Sequence, residues 1–331
     1  MKIDIFCHII PRKYKEALYR ISPGDFYLKD SMEATPTLFD LEKRFRIMDE
    51  YKGLTQVLTL ASPPVETIAK PEKAAELSKL ANDEMAELVG KYPDRFLTAV
   101  ACLPMNNMDA ALKEADRAIN ELKFRGIQVY TPMNDKPLDL PEFLPLYQKM
   151  AGYDLPIWIH PMRTMDYPDY RSEDQSMHRL FCVFGWPYET TAAMNRLVFS
   201  GVLEQFPGIK FITHHCGGMV PFFEQRIVGH FDLMEKRGKG YRHILTKAPI
   251  DYFKMFYNDT AVYGNTAALM CGYALFGPDH LLFGTDMPYD SELGHRYTRD
   301  TITSIEQMQI PALEKKKIFG ENARKLLRLS I

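Results

Sequence analysis

Histidine and aspartate recur at the ends of the strands predicted for this 331-residue chain. His8 ends the first predicted strand, His160 the fifth, His214 and His215 the sixth, and Asp286 the eighth. Imidazole and carboxylate groups that converge from separate strands are typical of a catalytic metal site, because two histidines and one carboxylate bind zinc or a similar divalent ion and leave a position open for water or substrate. A lone histidine is more often structural, but four strand ends with the same chemistry indicate one shared site.

Eight short runs of β-branched, aliphatic and aromatic residues alternate with longer amphipathic stretches, such as residues 73–92 and 109–124. Strands that alternate with helices predict a parallel sheet, and eight such units predict a (β/α)₈ TIM barrel, a single domain over residues 1–331. A doubly wound open sheet is the alternative, but its Gly-x-Gly-x-x-Gly turn does not follow the first strand. The predicted strands are residues 3–7, 55–60, 97–103, 126–130, 155–160, 209–215, 255–260 and 280–286.

Two loop insertions are predicted on this barrel. Residues 14–40 follow the first strand, and the aromatic-rich residues 162–190 follow the fifth. Active sites of (β/α)₈ enzymes lie at the carboxyl ends of the strands, so both insertions should emerge on the face that carries the histidines. The C-terminal residues 312–329 have the pattern of a closing helix.

The composition favours a small-molecule partner. With 41 basic and 43 acidic residues, the net charge of -2 gives no general field for nucleic acid or a membrane surface. No apolar run has the length of a membrane span, and no signal peptide precedes the first strand. Five scattered cysteines fit reduced thiols better than a disulfide framework. We therefore expect a cytoplasmic protein.

Four motifs, IDIFCHIIP, IHP, THHCGG and FGTDMP, occur in this order and at separations that resemble the amidohydrolase-related metal-dependent barrels. The resemblance is strongest to the branch that contains aminocarboxymuconate semialdehyde decarboxylase and the hydroxybenzoate decarboxylases. It continues through KYPDRFLTAVACLPM, GIQVYTP, GWPYETT and FGENARKLL. It implies an enzyme, often a homodimer, that acts on a small aromatic or unsaturated carboxylic acid.

The resemblance also implies roles for individual residues. His8, His160 and Asp286 fall on metal-ligand positions of that branch, and His215 falls on the histidine that handles the metal-bound water or the substrate proton. Side chains alternate along a strand, so His214 is expected to point away from His215 and from the site.

The first motif departs from the family pattern at Phe6. Family members usually have His-x-His or Glu-x-His here, and a phenylalanine cannot bind a metal. Residues 6 and 8 share a strand face, so Phe6 should fill the space of the missing ligand and border the substrate. We expect zinc, with manganese as the second candidate, held by His8, His160, Asp286 and water. The alternative is no metal, with the same residues forming an acid–base cluster.

Three functions are compatible with these residues. In a non-oxidative decarboxylase, His215 or Asp286 would move a proton to the carbon that loses carbon dioxide, and the ordinary pKa of histidine suits this role. In a hydrolase of a lactone, ester or amide, Asp286 would take the proton of the attacking water. In a catalytically degenerate barrel, the site would only bind a small molecule.

Substrate contacts are expected from the loops that follow the strands. Arg163 could grip a carboxylate through two parallel hydrogen bonds. Phe184, Trp186 and Tyr289 could form an aromatic slot for the substrate.

Overall fold

Parallel strands follow one another in chain order around a barrel. The computed structural model describes residues 1–22, 24 and 26–330. Hydrogen-bonded neighbours run in the order β1-β2-β3 and then β4-β5-β6-β7-β8, each pair parallel. The strands are β1 (Lys2–Ile9), β2 (Leu54–Leu60), β3 (Phe96–Ala99), β4 (Ala101–Cys102), β5 (Ile127–Thr131), β6 (Ile157–Pro161), β7 (Phe211–Thr213) and β8 (Tyr257–Asn258).

The third predicted strand, residues 97–103, is divided at Val100 into β3 and β4. The Val100 amide donates to the carbonyl of Leu58 in β2, whereas the next amide, that of Ala101, donates to the carbonyl of Gly126 just before β5. Both hydrogen bonds are 2.9 Å long. The chain therefore pairs with β2 before this point and with β5 after it. The three-stranded and five-stranded sheets are joined through this one predicted strand.

Residues 281–287, here called the closing segment, join β8 to β1. The Leu282 amide donates to Asn258 of β8 at 2.9 Å. On the other side, the amides of Ile5 and His8 donate to carbonyls of the closing segment, each at 2.9 Å, and the Asp286 amide donates to Phe6 at 2.8 Å. The barrel is closed, which confirms the predicted (β/α)₈ fold.

The closing segment is irregular because the side chain of Asp4 takes up part of its hydrogen bonding. The Asp4 carboxylate accepts bonds from the Thr285 amide at 3.0 Å, the Thr285 hydroxyl at 2.6 Å and the Phe6 amide at 3.2 Å. The pairing register of β1 shifts between Asp4 and Cys7. Burial raises the pKa of Asp4 to about 7, although these hydrogen bonds favour the charged form.

Replacing Asp4 with alanine should lower the free energy of unfolding by about 2–4 kcal/mol, because three buried donors lose their acceptor. Urea unfolding measures this loss, and Asp279→Ala, which removes an exposed carboxylate paired with Lys317, should change stability by less than about 1 kcal/mol. Since the folded protein raises the pKa of Asp4 from 3.8 to about 7, ionisation of Asp4 reduces stability as the pH rises through that range. The loss in free energy of unfolding caused by Asp4→Ala should therefore become smaller as the pH rises from 3.8 to about 7. Equal losses for Asp4→Ala and Asp279→Ala would contradict the role of Asp4.

Helices pack against the strands, and their sequences explain where they form. In α5 the buried residues Ala74, Leu77, Ala81 and Met85 recur every three or four positions. The helices are α1 (Arg12–Ile21), α2 (Lys29–Glu33), α3 (Leu41–Glu50), α4 (Val65–Ile68), α5 (Pro71–Lys91), α6 (Met108–Asn120), α7 (Leu144–Tyr153), α8 (Leu180–Val183), α9 (Gly185–Phe199), α10 (Val202–Gln205), α11 (Glu224–Lys236), α12 (Pro249–Phe253), α13 (Thr266–Phe276), α14 (His295–Gln307), α15 (Ala312–Lys316) and α16 (Asn322–Leu326).

The predicted closing helix over residues 312–329 is interrupted. It consists of α15, a π-helical turn at Lys317–Glu321 and α16. The buried side chain of Ile318 lies in the turn, and the Ile318 carbonyl accepts a hydrogen bond from the Phe283 amide at 2.8 Å. This bond ties the C-terminal region to the closing segment. Among the described residues, no helix has the length and apolar character needed to cross a membrane.

Candidate metal centre and active site

The carboxyl ends of the strands surround a cavity of about 770 Å³. Both segments predicted as insertions contribute to its wall, through residues 28–35 and 179–187. The lining residues are His8, Leu28, Ser31, Ala34, Thr35, Ser62, His160, Arg179, Phe181, Cys182, Val183, Trp186, Pro187, His215, Tyr263, Asp286, Tyr289, Asp290, Ser291, Leu293 and Tyr297. The structure therefore brings together the four residues placed at the site by their position at strand ends: His8, His160, His215 and Asp286.

The hydrogen bonds of His8 and His160 orient their rings toward the centre of the cluster. His160 Nδ1 lies 2.7 Å from the carbonyl oxygen of Pro161, and a carbonyl can only accept, so Nδ1 carries the hydrogen and Nε2 keeps its lone pair. His8 Nδ1 lies 3.3 Å from the Thr59 hydroxyl, and its Nε2 lies 3.1 Å from Asp286 Oδ1. Each ring thus directs Nε2 away from its backbone or hydroxyl partner.

His214 also faces the cluster, so the prediction that it points away was wrong. Strand β7 ends at Thr213, and the backbone then turns sharply, with φ of +54° at His215 and +53° at Cys216. Alternation holds only along a regular strand, and here both imidazoles turn to the same side, with ring centroids 3.9 Å apart. Gly218 completes the turn at φ +60°, where a Cβ atom would lie 2.4 Å from the carbonyl oxygen of Pro187.

Asp259 holds the His214 ring in place. His214 Nδ1 donates a hydrogen bond to Asp259 Oδ2, while Asp259 Oδ1 accepts from the amides of Cys216 and Ala261, each at 3.0 Å. His214 Nε2 is buried without a hydrogen-bond partner and lies 3.2 Å from Asp286 Oδ1. The sequence reasoning missed Asp259, although it follows β8 directly and so meets the same criterion of position at a strand end.

The donor atoms fit a divalent metal ion. One nitrogen each of His8, His160 and His214 lies within 4.8 Å of the others, and Asp286 Oδ1 is 3.1 Å from His8 Nε2 and 3.2 Å from His214 Nε2. Ligand atoms about 2.1 Å from a shared ion lie roughly 3.0–3.4 Å apart. Nε2 is the nitrogen of His214 that can bind the ion, because Asp259 already occupies Nδ1. The cluster can therefore hold a divalent ion.

A second group, His214, His215 and Asp286, also satisfies the distance criterion for a metal site. Both groups need His214, whose Nδ1 is engaged by Asp259. The remaining nitrogen can bind one ion only. Within the described part of the chain, these histidines and Asp286 therefore support a one-ion centre.

Phe6 packs against the candidate metal centre from the protein interior. Its side chain is fully buried, and its ring stacks on that of His214, with centroids 3.9 Å apart and planes 8° apart. Phe6 does not line the cavity, so the predicted substrate contact is wrong. The expected gap in the ligand set is also absent, because His214 supplies a third imidazole next to Phe6.

Burial and neighbouring charges shift the pKa values of the residues in the cluster. Burial disfavours the charged imidazole of His214, but the carboxylates of Asp259 and Asp286 outweigh it and raise its pKa to about 10. Burial and the positive charge of His214 lower the pKa of His215 to about 3. Burial also lowers the pKa of His8 and of His160. The pKa of Asp286 is low despite burial, because His214 and His8 stabilise the carboxylate.

Two of the residues predicted to bind substrate do not reach the cavity. Arg163 forms an ion pair with Glu189 at 3.1 Å, and its Cδ packs so closely over Gly185 that a Cβ there would lie 2.5 Å away. Phe184 lies between α8 and α9 with 61% of its surface exposed. Trp186 and Tyr289 do line the cavity. The Trp186 indole donates to the Arg163 carbonyl at 3.0 Å, so the backbone of Arg163 helps to position an aromatic wall.

Comparisons with known proteins agree with this architecture. The amidohydrolase family profile matches residues 3–329. A gamma-resorcylate decarboxylase of Polaromonas sp. strain JS666 is 31% identical over 91% of this chain and 92% of its own length. A solved 2,6-dihydroxybenzoate decarboxylase complexed with 2,6-dihydroxybenzoate is 29% identical, with a TM-score of 0.83 and 99% of each chain covered. A dihydroxybenzoic acid decarboxylase from the same Polaromonas strain, with bound manganese and 2-nitroresorcinol, is 28% identical, with a TM-score of 0.83, and the match covers 100% of this chain and 97% of that one.

Proposed function

This chain belongs to the amidohydrolase family, and from that premise we propose that it is a metal-dependent, non-oxidative decarboxylase of a small aromatic carboxylic acid. The observation that carries this conclusion is the position of His8, His160 and His214, with Asp286 in contact with two of them, beside a cavity with aromatic walls. Relatives named for the decarboxylation of gamma-resorcylate support the reaction. The relative solved with 2,6-dihydroxybenzoate supports a dihydroxybenzoate as the first substrate to test.

Zinc is the ion that we propose, because three imidazoles and one carboxylate are donors that suit it. Manganese is the second candidate, since one relative carries it. His8, His160, His214 and Asp286 would hold the ion, which would supply positive charge for the substrate carboxylate and an adjacent oxygen. Arg179 is the one lysine or arginine among the described residues that line the cavity. Substrate binding should therefore depend strongly on the metal.

Decarboxylation replaces a carbon–carbon bond with a carbon–hydrogen bond. A proton must reach the ring carbon, while the electron pair of the broken bond stays on the ring and carbon dioxide leaves. We assign this proton to His215, which lies on the cavity wall. Burial and the charge of His214 lower the pKa of His215 and keep its ring neutral near pH 7. The ring would therefore first take up a proton from solvent and then give that proton to the ring carbon. Asp286 is the poorer donor, because Oδ1 faces the nitrogens of His8 and His214 and Oδ2 accepts a hydrogen bond from the Tyr263 hydroxyl.

The aromatic wall suits a planar substrate. Phe181, Trp186 and Tyr289 all contribute to the cavity lining, and aromatic rings attract one another beyond their burial of apolar area. Ser31 belongs to the same lining, and its hydroxyl can meet a polar substituent.

The test is an assay of released carbon dioxide from zinc- and manganese-loaded protein. The panel contains 2,6-dihydroxybenzoate, other hydroxybenzoates and unsaturated carboxylates, with lactones, esters and amides for the hydrolase alternative. We expect carbon dioxide in proportion to substrate consumed, and no release after chelation. Hydrolysis without carbon dioxide would favour the hydrolase, and saturable binding without turnover would favour a degenerate barrel.

We also propose a cytoplasmic homodimer. The five cysteines have free thiols, as expected in a reducing compartment. Val183, Phe184 and Tyr188, all within the predicted insertion 162–190, are 56%, 61% and 53% exposed, and exposed apolar patches are typical of contact surfaces. Light scattering should give a mass near twice 38.3 kDa.

A further inference from the structure

Tyr263 contacts two of the residues placed at the active site. Its hydroxyl oxygen lies 2.9 Å from Asp286 Oδ2 and 3.2 Å from His215 Nε2. Tyr263 lies in the loop after β8, and the sequence analysis assigned it no role.

The chemistry of the three groups fixes the direction of both hydrogen bonds. An ionised carboxylate can only accept, so the Tyr263 hydroxyl donates to Asp286. That donation uses the one hydrogen of the hydroxyl, so the bond to His215 requires a hydrogen on Nε2. His215 Nδ1, which is buried without a partner, then keeps the lone pair of the neutral ring.

The hydrogen bond from Tyr263 leaves the two oxygens of the Asp286 carboxylate with different partners. Oδ1 lies 3.1 Å from His8 Nε2 and 3.2 Å from His214 Nε2, whereas Oδ2 is taken by Tyr263. A carboxylate held at Oδ2 cannot rotate freely, and its Oδ1 stays directed at the metal-binding nitrogens. This division matches the way that a hydrogen-bond partner orients a metal ligand in known sites.

The backbone has a positive φ angle at His215, Tyr263 and Asp286. His215, Tyr263 and Asp286 have φ values of +54°, +52° and +63°, and positive φ is uncommon outside glycine, especially for a bulky side chain. Such conformations persist where the surrounding structure holds them, and they cluster at functional sites. The Tyr263 ring is also packed against Tyr297, with centroids 4.5 Å apart.

We propose that Tyr263 is a positioning residue, which holds Asp286 with Oδ1 directed at the metal ligands and holds His215 with its hydrogen on Nε2. The role in catalysis rests on the proposed decarboxylase function. The role in orienting the two side chains does not depend on the identity of the reaction.

The test compares Tyr263→Phe with the unmodified zinc-loaded protein. This variant keeps the ring that packs on Tyr297 and removes the hydroxyl. Tyr51→Phe is the matched control, because Tyr51 also contacts a histidine, His295, at 3.4 Å, but does not line the cavity. Nitrogen-15 NMR reports which ring nitrogen of His215 carries hydrogen, with the signals assigned by their absence in His215→Gln.

In the unmodified protein we expect one His215 tautomer with hydrogen on Nε2. In Tyr263→Phe we expect a mixture of tautomers, a metal affinity that is about 10-fold lower, and a kcat about 10- to 100-fold lower with KM changed less than about threefold. Tyr51→Phe should keep all of these properties. Unchanged His215 signals and unchanged metal affinity in Tyr263→Phe would overturn the proposal. If the unmodified protein decarboxylates nothing, the NMR and affinity results still decide the role of Tyr263, and only the proposed function fails.

Discussion

Replacing His214 with leucine should remove the metal from the protein and with it the decarboxylase activity. Leucine keeps an apolar contact with the buried ring of Phe6 but offers no nitrogen. Losing a hydrogen-bond partner of a ligand already costs about 10- to 100-fold in metal affinity or activity, so losing the ligand itself should exceed that. Metal analysis of protein purified without chelator should fall from about one ion per chain to less than a tenth.

The metal content of His214→Leu distinguishes a ligand set that includes His214 from the set predicted from the sequence. If only His8, His160 and Asp286 bind the ion, His214→Leu will still purify with stoichiometric metal, and the assignment of His214 fails. The matched control is His280→Leu, because His280 stacks on Tyr257 outside the cavity, with centroids 4.5 Å apart. Circular dichroism of both variants checks that the fold is kept. Full activity of metal-free unmodified protein would instead favour the acid–base cluster.

The same assignment predicts how metal affinity depends on pH. In the metal-free site, the neighbouring carboxylates raise the pKa of His214 to about 10 despite its burial, so the ring is protonated near pH 7. The ion must displace this proton, since only the neutral imidazole binds. Apparent affinity should therefore rise about tenfold per pH unit between roughly pH 6 and 8. Calorimetry in buffers of different ionisation enthalpy measures the proton released.

Replacing His215 with glutamine should lower kcat by about 100- to 10,000-fold, the range typical of a lost acid–base group. Metal content should stay near one ion per chain, because His215 Nε2 lies 3.9 Å from Asp286 Oδ2 and is engaged by the Tyr263 hydroxyl at 3.2 Å. Glutamine keeps a polar group of similar reach in the same place.

Steady-state kinetics and metal analysis of the same preparation are both needed for His215→Gln. Activity within about threefold of the unmodified protein would remove His215 from the proposed proton transfer. Loss of the metal would instead make His215 a ligand, in the second group that it forms with His214 and Asp286. His280→Gln is again the control outside the cavity.

Position along the chain was enough to predict the barrel and the convergence of its strand ends. Period and length identified the strands, and the parallel arrangement places all their carboxyl ends on one face. The division of the third strand at Val100 and the irregular closing segment were not predictable in this way. Both depend on hydrogen-bond partners from distant parts of the chain, such as Asp4 with Thr285.

The orientation of side chains was less predictable than their position. Strand alternation fails for His214 because β7 ends one residue earlier, at Thr213, and the backbone adopts positive φ at His215. Arg163 was selected for its charge, but its ion-pair partner Glu189 is 26 residues away in sequence. A sequence pattern shows what a residue can bind, whereas the partner that it meets depends on the completed fold.

His8 and Asp286 are 278 positions apart in the chain, and they meet where β1 pairs with the closing segment. During synthesis on the ribosome, the carboxylate emerges long after His8 and His160, so a growing chain cannot assemble the full ligand set until the barrel is nearly complete. A bound ion would then link the first strand to the closing segment, across 278 positions of the chain. The supply of metal in the cell would thereby be coupled to the lifetime of the folded protein as well as to its turnover.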